Sequence, residues 1–493
     1  MVIFLKNIEG EGKERILKEL ESIVGSEYVS SSREITFLYH WDFVTAEEPG
    51  RCDFVVMPSS TEEVQEIVRL ANREKIPVIP WVSGMNFGGI CIPRKGGIVV
   101  DLRRMNKVLE VNEDDMYAVV EGGITWGDLK GYLEKHHPNL RAGITWSPAG
   151  TGVIPSYICY GMLDLGFIGG TGAEFINGLE VVLPTGEIVR VGSCMCTNYW
   201  LGRAPLPDLV GLFIGWDGTT GIVTKAGIKL WPNLPRKDFI IIADTVDTGV
   251  KIFRKLAKAG LGIVDMCFLN YVWLCSLQGY REDENMPFEP EKTGGNDFYG
   301  LVTITAYTEK EMEAKSESIM KIVDEEGGLV ADIETVIDMF SENEKENLLT
   351  LTNLPIHFYG VWNFSRGGGG EWVGSYISSR HVAQYYEIAR SIAKKYGKHA
   401  CMYGRVMFGG HHWIARVNIN FNKNDPEDVE RARKCLMEID ENVRKLGSVI
   451  RYKAPPWAKK RNLEKANPTA LELIRKIKSL LDPNGIMNPG HEM

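Results

Sequence analysis

A short run of small and polar residues, Ser83, Gly84, Asn86 and Gly88, has the composition of a loop that binds an anion. Glycine has no Cβ, so backbone N–H groups beside it can approach a phosphate oxygen closely. Such a loop can hold a pyrophosphate without any lysine. A glycine-rich hairpin without a ligand has the same composition, so the loop by itself leaves both interpretations open.

Two later segments have a similar composition. Residues 147–152 read Ser-Pro-Ala-Gly-Thr-Gly within an uncharged stretch, and residues 218–225 read Gly-Thr-Thr-Gly-Ile-Val-Thr-Lys. Small residues permit close contact and hydroxyl groups donate to phosphate, so the first of these segments is a second candidate contact for a dinucleotide. A set of buried turns is the alternative interpretation.

These segments resemble, in the same order, the vanillyl-alcohol oxidase / p-cresol methylhydroxylase (PCMH-type) family of flavoproteins. In that family a strand, a Ser-Gly-x-Asn-x-Gly-type loop and a strand ending in Asp-Leu grip FAD. The family also has a hairpin like the one around residues 184–186 and a C-terminal Leu-x-Asp-Pro-Asn-Gly-Ile-x-x-Pro-Gly, which matches residues 480–490. The resemblance implies an α+β fold, with a two-subdomain FAD-binding domain and an antiparallel-sheet cap domain for the substrate.

The resemblance implies FAD as the cofactor, and no metal site is predicted. Met85 stands where the family usually has an arginine, which removes one charge but leaves the backbone donors. The residues expected to contact FAD are Pro80, Val82, Ser83, Gly84, Met85, Asn86, Phe87, Gly88, Ser147, Pro148, Gly150, Thr151, Ser156, Tyr157, Gly221, Ile222, Val223, His411, Arg451 and Asn488.

Because a flavin is itself the electron acceptor, the protein must supply a cation and a proton acceptor beside it. Arg451 lies where the family carries an arginine that serves the flavin and an anionic substrate, and Tyr452 beside it could orient that substrate. A guanidinium can hold a carboxylate or phenolate through two hydrogen bonds. A salt-bridged surface arginine is the alternative.

A second group of candidate residues is Tyr403, His411 and His412. Some family members bond the flavin covalently to one histidine of such a pair. Adjacent strand residues point to opposite faces, so at most one of the two can face the ring. A substrate-facing base or a core histidine are the other interpretations. Tyr403, Trp362 and Trp413 are candidate walls of the substrate pocket.

Three departures from the family leave the substrate open. The tyrosine that binds phenolate within the loop is missing at Phe87-Gly88, Ile450 replaces a second tyrosine, and Ser147 lies where an aspartate is expected. The hydroxy-acid branch usually shows a metal-binding His-Gly-Asp-Gly signature, which is absent.

The predicted function is an FAD-dependent oxidoreductase that takes a hydride from a benzylic or alcoholic carbon of a small, anionic or aromatic substrate. The alternatives are a 2-hydroxy-acid dehydrogenase and a flavin-bearing electron-transfer subunit.

Periodicity places these motifs on elements. Residues 53–102 predict a β-α-β unit, with Ser60 and Glu63 as a capping box. After residue 235, strands alternate with helices at 250–259, 310–325, 382–395 and 426–446, which is typical of an antiparallel sheet with helices on one face. The predicted FAD-binding domain is 1–235 with 447–493, and the cap domain is 236–446. Gly367–Gly370 predicts a flexible turn or lid.

Composition limits the remaining classes. The 493 residues, with 44% hydrophobic and 25% charged residues and a net charge of −9, predict a soluble globular protein that does not bind nucleic acid. Nine cysteines without a regular spacing favour reduced thiols and a cytoplasmic location, and neither a signal peptide nor a membrane span is predicted. Cys194 and Cys196 are expected in an exposed loop, where they could contact a redox-partner protein; two ordinary thiols in a loop are the alternative. A homo-oligomer is expected.

Overall fold

The computed structural model describes residues 10–43, 47–86, 88–204, 206–277, 281, 295–332, 353–356, 364–450 and 456–491. Within this part of the chain the strands form sheets of four, five and eight strands and one isolated pair. Helices cover these sheets, so the α+β prediction is confirmed.

Several helices in the described part of the chain begin at capping residues. In chain order the helices are α1 (Glu11–Val24), α2 (Arg33–Phe37), α3 (Thr61–Glu74), α4 (Trp126–His136), α5 (Val153–Ile158), α6 (Gly166–Gly169), α7 (Val246–Ala259), α8 (Tyr271–Leu277), α9 (Glu309–Glu325), α10 (Val382–Lys395), α11 (Pro426–Val443), α12 (Pro456–Glu464) and α13 (Pro468–Leu481). Ser60, for example, accepts a hydrogen bond from the Glu63 N–H, whereas the Glu63 carboxylate accepts from the Ser59 N–H, so only one half of the predicted capping box forms.

The strands of the described residues follow in the same order. They are β1 (Val29–Ser30), β2 (Phe54–Val56), β3 (Val78–Trp81), β4 (Ile98–Asp101), β5 (Val108–Asn112), β6 (Tyr117–Glu121), β7 (Leu140–Arg141), β8 (Ile176–Val182), β9 (Ile188–Gly192), β10 (Ile222–Lys229), β11 (Trp231–Pro232), β12 (Arg236–Ala243), β13 (Ile263–Asn270), β14 (Phe298–Thr305), β15 (Leu329–Asp332), β16 (Gly369–Ile377), β17 (Cys401–Met407), β18 (His412–Phe421) and β19 (Val449–Ile450).

The first sheet has the order β1-β2-β4-β3, and both β2 and β3 pair with β4 in parallel. Helix α3 is the crossover between β2 and β3, and it buries Val64, Ile67, Val68 and Ala71 against the sheet. Four residues at this spacing form one apolar stripe, which is why the segment folds as a helix over the sheet. The predicted β-α-β unit is confirmed, and the glycine loop begins where β3 ends.

The second sheet has the order β5-β6-β10-β8-β9 and contains the predicted hairpin β8–β9. Strand β10 lies between β6 and β8, which places residues 221–223 at the junction with the first sheet. Val182 and Ile222 bury their side chains in the core of the first sheet. Thr61 also donates a hydrogen bond to the Glu180 carboxylate at 2.9 Å. These contacts join the two sheets into one body.

The third sheet has the order β15-β12-β14-β13-β17-β18-β16-β19, and each adjacent pair is antiparallel. Helices α7, α9, α10 and α11 bury their apolar sides against one face of this sheet. The prediction of an antiparallel sheet with helices on one face is confirmed. The opposite face turns towards the first part of the chain, where Trp146 and Met162 pack against it.

Three local predictions were wrong. Residues 366 and 367 do form a turn, but Gly369 and Gly370 begin strand β16 instead of a flexible segment, because they pair with Phe421 and Asn420 of β18. Cys194 is buried under a 3₁₀ turn and its thiol donates to the Val191 carbonyl, while Cys196 is exposed as expected. Trp413 packs on the helix side of the sheet and therefore does not face the site.

Strands β13, β16 and β17 were not predicted. Nearly all of their residues are buried, so their sequences lack the alternation that indicates a half-exposed strand. Within the described residues, no helix combines the length and the apolar composition that crossing a bilayer requires.

Candidate active site

A cleft, which we name the loop cleft, lies beside the end of β3, the start of β10 and helix α5. It contains about 910 Å³ of space outside protein atoms, part of which is open to solvent. Most of the residues predicted to contact the cofactor line it, although they come from four separate stretches of the chain. They are Pro80, Val82, Ser83, Gly84, Met85, Asn86, Thr151, Ser156, Gly221, Ile222, Val223 and Asn488.

The loop after β3 presents backbone donors to the loop cleft. Gly84 has φ +65°, and a Cβ there would lie 2.4 Å from the Trp81 ring, so only glycine permits this conformation. Within the described residues, the backbone N–H groups of residues 83–86 donate no hydrogen bond. The Gly88 N–H, in contrast, donates to Asn86 Oδ1 at 2.5 Å and is already satisfied. Four consecutive unsatisfied N–H groups match the needs of a phosphate.

The C-terminal segment returns to this cleft, as the resemblance implied. The Asn488 backbone N–H donates to the Val78 carbonyl at 2.8 Å, and its side-chain amide donates to the carbonyls of Ile90 and Asp217 at 3.0 and 2.7 Å. Asn488 Oδ1 and the Thr151 hydroxyl are both buried, line the cleft and have no hydrogen-bond partner among the described residues. Buried polar atoms of this kind need a ligand or a water to satisfy them.

The other predicted cofactor contacts do not line this cleft. Ser147 is buried and hydrogen-bonds to Thr145, and Tyr157 is a core residue whose hydroxyl donates to the Gly143 carbonyl at 2.9 Å. Pro148 forms a β-bridge to Ile356, Gly150 is exposed, and the Gly88 N–H is bonded to the Asn86 side chain. Phe87, Trp362, Arg451 and Tyr452 lie outside the described residues, so their predicted roles stay predictions.

The segment 146–156 connects the loop cleft to the third sheet. Its end lines the cleft, while Trp146 at its start stacks on Tyr403 of β17 with ring centroids 5.0 Å apart. The face of the sheet turned towards Trp146 is named the site face. Alternation along β17 and β18 places Tyr403, Arg405, His412 and Asn418 on it.

The site face carries buried polar groups with unmet hydrogen bonds. Among the described residues, the Tyr403 hydroxyl and both polar atoms of the Asn418 side chain have no partner. Burial raises the pKa of Tyr403 to about 12, so its hydroxyl stays protonated at neutral pH and can donate. So many buried unsatisfied atoms on one face indicate that a polar ligand belongs there.

Arg405 is the centre of this face. Its side chain is fully buried, and none of its three guanidinium nitrogens makes a hydrogen bond to a described residue. Asp265 of β13 forms an ion pair with it, with 3.3 Å between Arg405 Nη2 and Asp265 Oδ2. The guanidinium lies 5.3 Å from the Trp146 ring and 6.0 Å from the Tyr403 ring. Burial raises the pKa of Asp265 to about 7, although Arg405 opposes the shift.

The two histidines differ in their surroundings. His411 is exposed at the end of a 3₁₀ turn, whereas His412 is half-buried on the site face beside Tyr376, with its Nε2 unpartnered among the described residues. Burial lowers the pKa of His412, so the ring is neutral at pH 7 and can accept a proton. Covalent attachment of a flavin stays a prediction. Recovery of all flavin in the soluble fraction after denaturation would exclude it.

Sequence reasoning missed Arg405, Asp265 and Trp146. The signal for Arg405 was present, because an arginine inside the apolar run Tyr-Gly-Arg-Val-Met must be buried if the run is a strand. Asp265 and Trp146 are distant in sequence, and only the sheet register and the loop packing bring them to Arg405. Among the residues that the structure describes, no three His, Cys, Asp or Glu side chains are grouped as a metal site would require.

Comparisons with known proteins define the class. Residues 52–192 match the family model described as FAD binding domain, and residues 240–491 match the one described as FAD linked oxidases, C-terminal domain. The chain therefore belongs to the PCMH-type family of FAD-linked oxidoreductases, as the resemblance predicted. It is an FAD-dependent enzyme.

Individual relatives divide between two substrate classes. The chain is 25% identical to the glycolate oxidase subunit GlcD of Bacillus subtilis, covering 96% of both chains. It is 24% identical to the flavoprotein subunit of 4-cresol dehydrogenase [hydroxylating] from Pseudomonas putida, covering 97% of this chain and 94% of that one. Its fold matches the crystal structure of p-cresol methylhydroxylase with substrate bound, with a TM-score of 0.87, 21% identity and coverage of 98% and 97%.

Proposed function

We propose that this enzyme is a dehydrogenase or oxidase that removes a hydride from an alcoholic or benzylic carbon of a small anionic substrate. The observation that carries the proposal is the fully buried guanidinium of Arg405, which has unmet donors on the face turned towards Trp146. Asp265 supplies one charge partner for this buried cation, and the donors that make no hydrogen bond still need an acceptor. The two classes of relatives both include enzymes named for small oxidisable substrates.

The loop cleft is where we place the dinucleotide part of FAD. The backbone N–H groups of residues 83–86 would donate to the pyrophosphate, and the Thr151 hydroxyl and Asn488 amide would satisfy further oxygens. Bound FAD supplies a hydride acceptor. We retain the division into an FAD-binding domain (1–235 with 447–493) and a cap domain (236–446) as part of this proposal.

On the site face, each residue has a separate task. Arg405 binds the anionic group of the substrate. Arg451 and Tyr452 lie outside the described residues, and their roles as a second cation and an orienting group are retained from the sequence alone. The Tyr403 hydroxyl donates a hydrogen bond to a substrate oxygen, since it stays protonated. His412 accepts the proton that leaves the substrate, because its ring is neutral and Nε2 has no partner among the described residues.

A 2-hydroxy acid is the second candidate substrate, and a specific feature favours it. The remaining donors of Arg405 suit a carboxylate, which accepts two parallel hydrogen bonds from a guanidinium. A flavin-bearing subunit that only transfers electrons to a partner protein is the candidate from another class. That candidate leaves the unmet donors on the site face without a purpose.

One experiment separates these functions. The purified holoprotein is mixed anaerobically with an alkylphenol, a benzylic alcohol or a 2-hydroxy acid, and the loss of oxidised-flavin absorbance is followed. We expect at least one anionic member of the panel to reduce the flavin completely. Reduction by dithionite but by no member of the panel would contradict the proposal, and reduction only by a redox protein would favour the electron-transfer subunit.

A further inference from the structure

We infer that the substrate is a 2-hydroxycarboxylate whose C2 carries an aryl ring, and that Arg405 holds its carboxylate. This inference rests on the proposed function and narrows it to one substrate class. A compound such as mandelate combines both features that divide the relatives, because its reacting carbon is benzylic and also adjacent to a carboxylate.

The carboxylate follows from the donors of Arg405. A guanidinium has five N–H donors in one plane, and Asp265 Oδ2 lies 3.3 Å from Nη2. Nε and Nη1 make no hydrogen bond to a described residue. A carboxylate fills two parallel donor positions at once, whereas an alcohol or a phenol oxygen can accept at only one place. The geometry around Arg405 therefore favours a carboxylate over a neutral oxygen.

The aryl ring follows from the groups beside Arg405. The rings of Trp146 and Tyr403 stack with an angle of 25° between their planes, and the ring centroids of Trp273 and Tyr403 are 6.4 Å apart. The guanidinium lies within 6.0 Å of both rings of the stacked pair. Aromatic rings pack favourably against one another in offset or edge-on arrangements, so a ring attached next to the carboxylate would find matching partners. A methyl group in the same place would contact much less of the surface of those rings.

The hydroxyl group follows from the register of β17 and β18. Arg405 pairs with Ile414 and Met407 pairs with His412, so His412 is a diagonal neighbour of Arg405 on the same face. Diagonal neighbours have Cβ atoms about 7–8 Å apart. This distance suits a substrate whose carboxylate meets one side chain and whose adjacent hydroxyl meets the other.

The oxidation is then balanced. The C2–H and O–H bonds break and the C2=O double bond forms, which converts the 2-hydroxy acid to an aryl 2-oxo acid. The hydride carries two electrons and would be accepted by FAD, the cofactor of this family. The hydroxyl proton passes to His412. No other oxidant is required for this half-reaction.

Three probes test the inference on the anaerobic holoprotein: mandelate has the carboxylate and the ring, lactate has only the carboxylate, and benzyl alcohol has only the ring. We expect the second-order rate of flavin reduction with mandelate to exceed that with either other probe by about 100-fold. Arg405→Gln should remove this advantage over benzyl alcohol and weaken binding of benzoylformate, measured by thermal shift, while the FAD content stays constant. Arg405→Lys retains the positive charge but cannot donate two parallel hydrogen bonds to a carboxylate. It should therefore recover only part of the reduction rate and product binding lost in Arg405→Gln.

Each other result has a definite meaning. If lactate reduces the flavin as fast as mandelate, the substrate does not need an aryl ring. If benzyl alcohol reduces it as fast as mandelate, the substrate does not need a carboxylate. Loss of FAD from Arg405→Gln would show that this arginine serves the flavin and would also overturn the inference. Reduction by 4-methylphenol but not by mandelate would refute the inference and leave the proposed function intact, whereas reduction by no organic probe would refute both. If Arg405→Gln does not fold, Trp146→Leu tests the ring, since it should narrow the gap between mandelate and lactate.

Discussion

Asp265 should set how the binding of an anionic substrate depends on pH. Its carboxylate lies behind the Arg405 guanidinium, and burial raises its pKa to about 7. Below that pH the protonated Asp265 leaves the guanidinium with its full positive charge. Above it, the carboxylate neutralises the guanidinium and repels a bound anion. The affinity for an anionic substrate should therefore fall as the pH rises through about 7.

The size of the effect follows from Coulomb's law. A substrate carboxylate on the far side of the guanidinium would lie about 6 Å from the Asp265 carboxylate, and at an effective dielectric constant of about 20 the repulsion is roughly 3 kcal/mol. This energy corresponds to about 100-fold in the dissociation constant. Asp265→Asn removes the titrating charge and keeps the shape of the side chain. Its affinity should not change with pH around neutrality, and at pH 9 it should bind up to about 100-fold more tightly than the natural protein.

The assay measures KM and kcat of flavin reduction from pH 5.5 to 9, together with the dissociation constant of a product analogue. Asp238→Asn on the neighbouring part of the sheet is the matched control. Burial also raises the pKa of Asp238, but its carboxylate accepts from Thr303 and is not in contact with Arg405. The control should keep the natural pH profile. A natural protein whose affinity rises with pH, or an Asp265→Asn variant with the natural slope, would refute the reasoning.

Stability provides a second readout for Asp265. An acid whose pKa is raised in the folded state binds its proton more tightly there than in the unfolded chain, so its contribution to stability is present at low pH. That contribution is lost as the pH rises from the ordinary aspartate range to about 7. The charge of Asp164 raises the pKa of Asp265 and the charge of Arg141 lowers it, so substituting either residue would shift the pH range over which this stability is lost. Asp265→Asn should therefore flatten the pH dependence of Tm between about pH 4 and 7.

Two further predictions concern the cofactor loop and the proton acceptor. Gly84→Ala should lower both Tm and the ratio of bound FAD to protein, because its φ is +65° and its Cβ would meet the Trp81 ring at 2.4 Å; Gly131→Ala, which meets no atom within 4 Å, is the control. Full FAD content in Gly84→Ala would contradict the proposed loop. His412→Asn should lower kcat by about 10²-fold and His411→Asn should not. Equal losses in the two variants would argue against His412 as the proton acceptor.

The sequence predicted the cofactor side of the molecule well because its signals are local. Ser60 and Glu63 cap α3 within one turn, and the glycine at position 84 is required by a conformation that its own neighbours impose. The order of the motifs along the chain, including the returning C-terminal segment, then implied the family. Tyr157 does not line the loop cleft, because an uncharged stretch can supply either cofactor contacts or core residues, and the ring of Tyr157 is in the core.

The third sheet was predicted in outline, but which of its residues lie on which face was predicted less well. Trp413 was expected in the pocket, yet it adjoins His412 on the same strand and must point to the opposite face. That alternation could be read from the sequence once the strand was recognised. Strands β13, β16 and β17 are buried on both faces, so their periodicity gives no such guidance.

The sequence by itself determined the family and the cofactor, and it indicated the loop that we propose for the anionic part of that cofactor, since each of these motifs consists of residues within a few positions of one another. Only the tertiary structure decided which side chains come together on the site face. Asp265, Arg405 and Trp146 come from two strands and a distant loop, and their proximity depends on strand register and on how the loop packs over the sheet. A register shift of one residue would turn Arg405 to the other face, and no local pattern in the chain records that choice.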